Sequence, residues 1–564
     1  MTGEPGLLEA QRPHWSEALV HPMRSFHTVR HLEFGQIVNR VARTVRPFRQ
    51  LPEPVSKTTR IRRTSVPPAV KRSDAFDGHS FCFLNRRLIW GGPDRWHPED
   101  ATDLWLYHLH YFQYLWSLPA STALQLILDW IEANDSANFA WHAYPISLRL
   151  REWIEWLMAH PDIESAQAHA IERSVEQQAQ ALRHQLEFHL MGNHLLENAI
   201  ALCWAGLSFR GQRADEWLST GSPLLGNELA RQVLSDGSHD ERSPMYQAAL
   251  VEGLLRLSEV AAQSSHPDAA YIQEAAGGAG RHMLEALQCL VHPDGEYALL
   301  NDTAFDVAPT LHALVSRFGG SADRLKSWRV CSLPDAGYFG HSSRRGGNYL
   351  VFDVGAIGPD HQPGHGHADL LSFEMSHRRR RIITDTGVFT YAPNSVRSYD
   401  RGTSAHNTIE VDGRDQCELW GAFRCARRPT ICLAGAEQKA DSATFIGGYQ
   451  GPGLGLGTLK HLRKVVVDDS TLTFRDHLTS SGAHRATLRL HFAPGLRLRR
   501  VERGWVIDEG RGLPLASIVG EGFEWAESTS AYHPEFGIEE ERPSLLATVS
   551  FRDRAAFKWS LLLH

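Results

Sequence analysis

Between about Ala101 and Phe318, apolar residues recur every three to four positions, in LWLYHLHYFQYLWSL, ISLRLREWIEWLMAH, HLLENAIALCWAGL and YQAALVEGLLRLSEVAA. That is the period of amphipathic helices. The stripes are broad and rich in Trp and Tyr, with almost no strand signal between them, as expected of helices packed in two layers around a central cavity. Near Cys331 the period drops to two. YLVFDVG, LLSFEMS, RIITDTG, NTIEVDG, ATFIGGY, RKVVVDD, LTFRDHL and TLRLHF are short alternating runs punctuated by Gly, Asp-Gly or Asp-Asp. Strands at that spacing describe an antiparallel sandwich. The boundary is expected at about 320–332, in FGGSADRLKSW, and the last strands near ATVSFRD and FKWSLLL.

With 564 residues the chain exceeds what one hydrophobic core fills. The expected division is a lead-in over 1–100 with short helices, a helical domain over 101–325 and a β-domain over 330–564. Residues 1–72 hold thirteen basic and five acidic side chains, a charge that ordinarily marks a solvated face. The chain as a whole carries a net −7, which argues against a nucleic-acid partner. No apolar run approaches the roughly 20 residues that span a bilayer. Seven cysteines without CxxC spacing point to reduced, mostly buried thiols. MTGEPGLLEAQRPHW lacks the pattern of a signal peptide, so a cytoplasmic location is the default expectation, with the periplasm as the alternative.

The densest polar cluster is GHGHADLLSFEM at 364–375. On an extended segment His365 and His367 point to one side, and Asp369 lies two further on that side. Asp385, in RIITDTGVFTY, and His406, in SYDRGTSAHNTIEVDG, complete a possible N/N/O set for zinc. In the helical part, MGNHLLENA places Asn193, His194 and Glu197 within one turn, and SDGSHDERSPMYQAALVEG opens a helix with Tyr246 near its start. With no obvious nucleophilic Ser or phosphate-cradling loop, these residue types suit proton transfer. β-Elimination at a uronic acid is such a reaction. Asn193, His194 or a protonated Glu197 would neutralise the sugar carboxylate while charge spreads into the enolate, and Tyr246 and His365 would move the protons.

In this order, YPISLRLREW, GNHLLEN, DGSHDERSPMYQ, GHGHADLLSFEM, DTGVFTY, AHNTIEVDG and LWGAFR resemble the heparinase II/III-like polysaccharide lyase superfamily. The resemblance implies an incomplete α/α toroid followed by an antiparallel β-sandwich. It also implies carboxylate neutralisation by Asn193 and His194 with Glu197 close by, a Tyr246–His365 acid–base pair, and zinc on His367, Asp385 and His406. Arg149, Arg401 and Trp420, in or beside the matching segments, are expected to contact substrate. Net negative charge and few lysines favour a lightly sulfated uronate polymer, an exopolysaccharide or alginate-like oligomers. Two alternatives are a glycoside hydrolase using Asp240, Glu241 or Asp302, and a non-catalytic sugar-binding protein of polysaccharide assembly that stacks sugars on its 16 tryptophans.

Overall fold

The structure is a computed structural model that describes residues 21–45, 50–53, 58–70, 75–319, 330–343, 347–451, 458–510, 513–520 and 522–564. Most of the expected boundary segment, 320–329, lies outside these residues. The chain divides into two compact units. One is Leu32–Val233 with Ala249–Met283; the other joins the described residues up to His31 to Leu234–Ala248 and Leu284–His564. Two stretches of the helical sequence, 234–248 and 284–318, therefore fold with the strands.

The first unit is built from the helices Asp103–Tyr111, Ala120–Ala133, Ala143–Ala159, Ser165–His184, Gly192–Ser208 and Gln212–Gln232 and most of Pro244–Ala261 and Ala269–Leu287. Gly192–Ser208 is apolar over most of its length, and every one of its residues except His194 is buried, as expected of a helix enclosed by neighbours. Small residues let Gln212–Gln232 approach it closely. A Cβ on Gly206 would lie 2.4 Å from Leu218 Cγ, and one on Gly221 would lie 3.0 Å from the Cys203 nitrogen. The basic lead-in is not simply a solvated face. Arg63 forks onto Glu155, whose oxygens also accept from Trp204 Nε1 and the Val66 nitrogen, each at 2.6 Å. Arg256 holds Glu152 at 2.7 Å and the Val66 carbonyl at 3.0 Å. Buried charges persist because they are paired and hydrogen-bonded.

In the second unit a five-stranded antiparallel sheet runs Val330–Leu333, Tyr338–Ser342, Tyr349–Asp353, Phe373–His377, Arg380–Ile383 in spatial order. A ten-stranded sheet is centred on two long paired strands, Thr471–His491 and Glu540–Leu563. Phe352, Phe373 and Met375 of the smaller sheet share one core with Val465, Phe474 and Trp559 of the larger, so the two sheets form a sandwich. Phe474 and Trp559 stack at 3.9 Å. LTFRDHL and TLRLHF belong to one strand rather than two, as do ATVSFRD and FKWSLLL. The Gly that reads as a turn, Gly482 at φ 103°, instead absorbs a register shift between Thr479 and Ala483, a bulge that bends a strand without ending it. Cys289 and Cys331 are joined in a disulfide, contrary to the expectation of reduced thiols throughout; Cys203, Cys417 and Cys425 are free and buried.

Replacing Glu155 with Ala strands Arg63 without a counter-charge and leaves the Trp204 N–H unbonded. The variant is expected to lose about 3–5 kcal/mol of stability in urea unfolding followed by tryptophan fluorescence, whereas Glu99→Ala, at an exposed surface position, is expected to stay within about 0.5 kcal/mol of the parent.

Candidate active site

The GHGH segment is a loop rather than a strand, pinned from several sides. Gly366 has no room for a side chain, since a Cβ there would fall 1.8 Å from the Ile357 carbonyl oxygen. The two flanking histidines meet one carboxylate: His365 Nδ1 lies 2.8 Å from Asp302 Oδ2, and His367 Nε2 lies 2.9 Å from Asp302 Oδ1. Arg397, on the helix Ser395–Arg401, forks onto the same two oxygens, at 2.7 Å for the Oδ2 contact. Asp302 is fully buried. Burial opposes its ionisation, yet the Arg397 guanidinium and the two imidazoles hold its carboxyl well below the usual range. Its neighbour Asn301, at φ 53°, accepts from the His367 backbone N–H at 3.0 Å.

Tyr246 sits in the first turn of Pro244–Ala261, beside Ser243, whose hydroxyl donates to the Asp302 carbonyl at 2.7 Å. Its ring lies 4.1 Å from that of His365, and its hydroxyl 2.9 Å from the Tyr391 hydroxyl. Burial, with Tyr391 next in effect, pushes the Tyr246 phenol well above its ordinary pKa, so it carries its proton at neutral pH. Glu241 Oε2 lies 3.4 Å from His365 Nε2. Arg397 covers the Tyr391 ring at 4.9 Å. Tyr246 and His365, expected as partners, are thus brought together. Tyr391, the last residue of DTGVFTY, and Arg397 were missed.

His367, Asp369 and His406 present ligand atoms that all lie within 4.8 Å of one another, and all three residues are buried. His367 Nδ1, Asp369 Oδ2 and His406 Nε2 are buried without a hydrogen bond among the described residues. The remaining nitrogens are occupied, His367 Nε2 by Asp302 and His406 Nδ1 by Asp385 at 2.8 Å. Two oriented imidazoles and a carboxylate fit a metal of the zinc type. Asp385, expected as a ligand, instead stands behind His406, and Asp369 takes the place in the cluster. Burial pushes the Asp369 carboxyl up to about 7 and drives His367 down to about 4. Against burial, Asp385 raises His406. His239, Asp240 and Glu241 form a second buried group of this kind.

In the helical unit, Asn193 and His194 open the helix Gly192–Ser208 after Met191, which takes φ 64°. His194 Nδ1 lies 3.1 Å from Glu187 Oε1, and its ring 4.3 Å from Tyr144. Three expected substrate contacts turn out differently there and in the β-unit. Glu197 is buried in an ion pair with Arg151 at 2.9 Å. Arg149, fully buried under Trp130, donates to Gln178 and to the carbonyls of His110 and Ala140. Arg401, also buried, donates to the carbonyls of Gly366 and Ala422 and so ties down the GHGH loop. Trp420 has Arg24 and Arg424 over its ring at 4.9 and 4.4 Å, and its N–H donates to Thr28.

Helices followed by a two-sheet antiparallel sandwich define a toroid-and-sandwich class of fold. The chain belongs to the heparinase II/III-like superfamily: residues 111–317 match the heparinase II/III N-terminus, and residues 326–560 the heparinase II/III-like C-terminal region. A heparin-sulfate lyase of Pedobacter heparinus is 25% identical over 322 residues, 51% of this chain and 47% of that protein. One from Bacteroides thetaiotaomicron is 22% identical over 378 residues, 56% of this chain and 52% of that protein. The chain thus spans about half the length of these curated relatives. Among solved structures, a heparinase III has a TM-score of 0.67 at 18% identity, covering 83% of this chain and 79% of that one. A mutant heparan sulfate lyase of Pedobacter heparinus has a TM-score of 0.60 at 17% identity, covering 86% and 81%. These likenesses establish the fold, an α/α toroid followed by an antiparallel β-sandwich.

Against burial, the His194 imidazole beside it holds the Glu187 carboxyl down at about 2, whereas an unfolded Glu titrates near 4.3. A depressed folded pKa gives stability that is present above the unfolded value and is lost as pH falls through the folded one. Glu187→Gln is therefore expected to be less stable than the parent by about 3 kcal/mol from pH 5 to 7. The two unfolding curves should converge only as pH falls to about 2 and below.

Proposed function

We propose that the chain is a polysaccharide lyase that cleaves a uronic-acid-containing polysaccharide by β-elimination. The observation that carries this is the Tyr246–His365 pair, with His365 anchored through Nδ1 on an ionised, buried Asp302. A lyase needs one group to take the C5 proton and one to protonate the departing O4. The neutral Tyr246 phenol supplies a proton, and His365 Nε2, turned away from Asp302, is free of that carboxylate to exchange one. Asn193 and His194 supply the donors that neutralise the uronate carboxylate as the enolate forms. Family membership supports the assignment, and the heparin-sulfate lyase relatives support a uronate-bearing substrate. The net −7 favours a lightly sulfated polymer, such as an exopolysaccharide. The Cys289–Cys331 disulfide favours the periplasm, because such bonds persist in oxidising compartments.

Neither alternative gains a supporting observation. Asp302, a candidate hydrolase acid, is locked in its ionised form by Arg397 and has no proton to donate. Trp96, Trp105, Trp130, Trp141, Trp153, Trp156, Trp204, Trp217 and Trp559 are fully buried, so these nine do not serve as sugar-stacking platforms. Incubation with a panel of uronate polymers should give the absorbance of an unsaturated uronate at about 232 nm. A hydrolase would give reducing ends without it, and a binding protein would give neither. On the polymer cleaved, Tyr246→Phe is expected to lower turnover by about 10²–10⁴-fold with little change in affinity. Near-normal turnover would pass the proton-carrying role to His365 or His194.

For the metal, zinc is the proposed ion, held by His367, Asp369 and His406. When bound there it supplies a fixed positive charge that orders the site. Elemental analysis of the purified protein is expected to find zinc, and Asp369→Asn to abolish it. Asp385→Asn, which removes only the support behind His406, is expected to weaken zinc affinity by about 10–100-fold. The opposite ranking would restore Asp385 as the ligand.

A further inference from the structure

A cavity of about 430 Å³ lies in the β-unit, and neither the Tyr246–His365 pair nor His367, Asp369 or His406 lines it. Its walls come from the helix Ser395–Arg401 and from the strands Thr471–His491, Glu524–Tyr532 and Glu540–Leu563. The helix divides it from the catalytic groups. Arg397 and Arg401, at i and i+4, reach Asp302 and the Gly366 carbonyl. Val396 and Tyr399, at i and i+3 on another face, line the cavity. The volume falls in the range that holds a sugar unit or two.

The chemistry of the walls is mixed in a particular way. Ser528 and Ser544 bring hydroxyls to the wall, the former also donating to the Thr529 carbonyl at 3.3 Å, while Ser530 is held by Arg542 Nε at 3.2 Å, and Val396 and Leu546 offer apolar surface. A pyranose presents the same combination, an edge of hydroxyls and a face of C–H groups. Two histidines are already committed. His491 binds Ser530 Oγ at 2.8 Å and the Ser404 carbonyl at 3.1 Å, and His533 lies between Asp400 and Glu539 at 2.5 and 3.1 Å. The rim carboxylate Glu539 is thereby paired. Arg489 binds Glu410 through Nη2 at 2.7 Å, and its other terminal nitrogen, Nη1, carries no hydrogen bond among the described residues. The lining thus combines hydroxyls, apolar patches and a guanidinium with donor capacity to spare, which suits a sugar bearing a carboxylate.

We propose that this cavity is a second carbohydrate-binding site, for a uronate-bearing stretch of polysaccharide, with Arg489 as its carboxylate partner. The identity of the sugar rests on the lyase reading above; the existence of the site does not. It would hold a long polymer to the β-unit while another part is cleaved, raising local substrate concentration without touching the reacting atoms.

The test uses the full chain carrying Tyr246→Phe, so that the probe is not consumed. The probe is an unsulfated hexasaccharide of alternating glucuronate and N-acetylglucosamine, titrated by calorimetry. Two binding events are expected. Ser528→Trp, which fills the cavity, should remove one of them, and Arg489→Gln, which keeps a hydrogen bond to Glu410 but not the charge, should weaken the same event by about tenfold or more. In the chain with Tyr246 intact, Ser528→Trp should raise KM for long polymer and leave kcat and short-oligosaccharide turnover unchanged. A single event that survives both substitutions, alongside normal lyase activity, would overturn the second site and leave the lyase assignment standing. An event lost in Ser528→Trp, in a protein that cleaves none of the uronate polymers, would support the site and overturn the lyase. Absence of any binding would overturn the site.

Discussion

The site depends on one buried carboxylate. Asp302 has no access to water, and an unpaired charge there would cost several kcal/mol. Its two oxygens offer about four lone-pair positions, and Arg397, His365 and His367 fill them from three directions. Each histidine binds Asp302 through a different nitrogen, so the free nitrogens are different as well. His365 keeps Nε2 for the side of Glu241, while His367 keeps Nδ1 for Asp369 and His406. A single fixed charge therefore orients both His365, beside Tyr246, in the pair proposed to move protons, and His367 in the cluster proposed to hold a metal. The surroundings serve to hold that arrangement still: Arg401 ties down the loop backbone, Ser243 binds the Asp302 carbonyl, and Gly366 fits where no side chain would.

Much of this was legible in the sequence because it depends on local pattern. The change of hydrophobic period near Cys331 separates helices from strands, and GHGHAD marks the polar loop. Asp369 stands out only as alternating with His365 and His367; the residue pattern and the resemblance both name Asp385 as the carboxylate ligand. Geometry separates the two carboxylates: Asp369 joins the cluster and Asp385 supports His406. Asp302 was harder to see. It lies 63 residues before His365 in sequence, in LLND, with no local signal of its role, and its pairing with Arg397 is purely tertiary.

The arginines show where composition misleads. Seven lysines among 58 basic residues leave a chain in which arginine is plentiful. Arg149 and Arg401 read naturally as grips for a uronate, but a guanidinium has five donors in a planar fork and is also well suited to satisfying several buried carbonyls. Both are used that way. Glu197 and Arg151 likewise neutralise each other inside the helical unit. His194 is different, because it is the one residue of its helix that is not buried. Strand lengths were misjudged for a related reason: glycine at positive φ marks bulges as well as turns, and the difference lies in whether the partner strand continues alongside.

Asp302→Asn tests the claim that one carboxylate serves both functions, since it keeps the shape and removes the charge. Far-UV circular dichroism should first establish that the variant folds. The expected result is then a joint loss: elimination on the polymer the parent cleaves should fall by about 10²-fold or more, and metal affinity by about 10–100-fold. Loss of turnover with metal affinity unchanged, or undiminished turnover, would contradict the role assigned to Asp302.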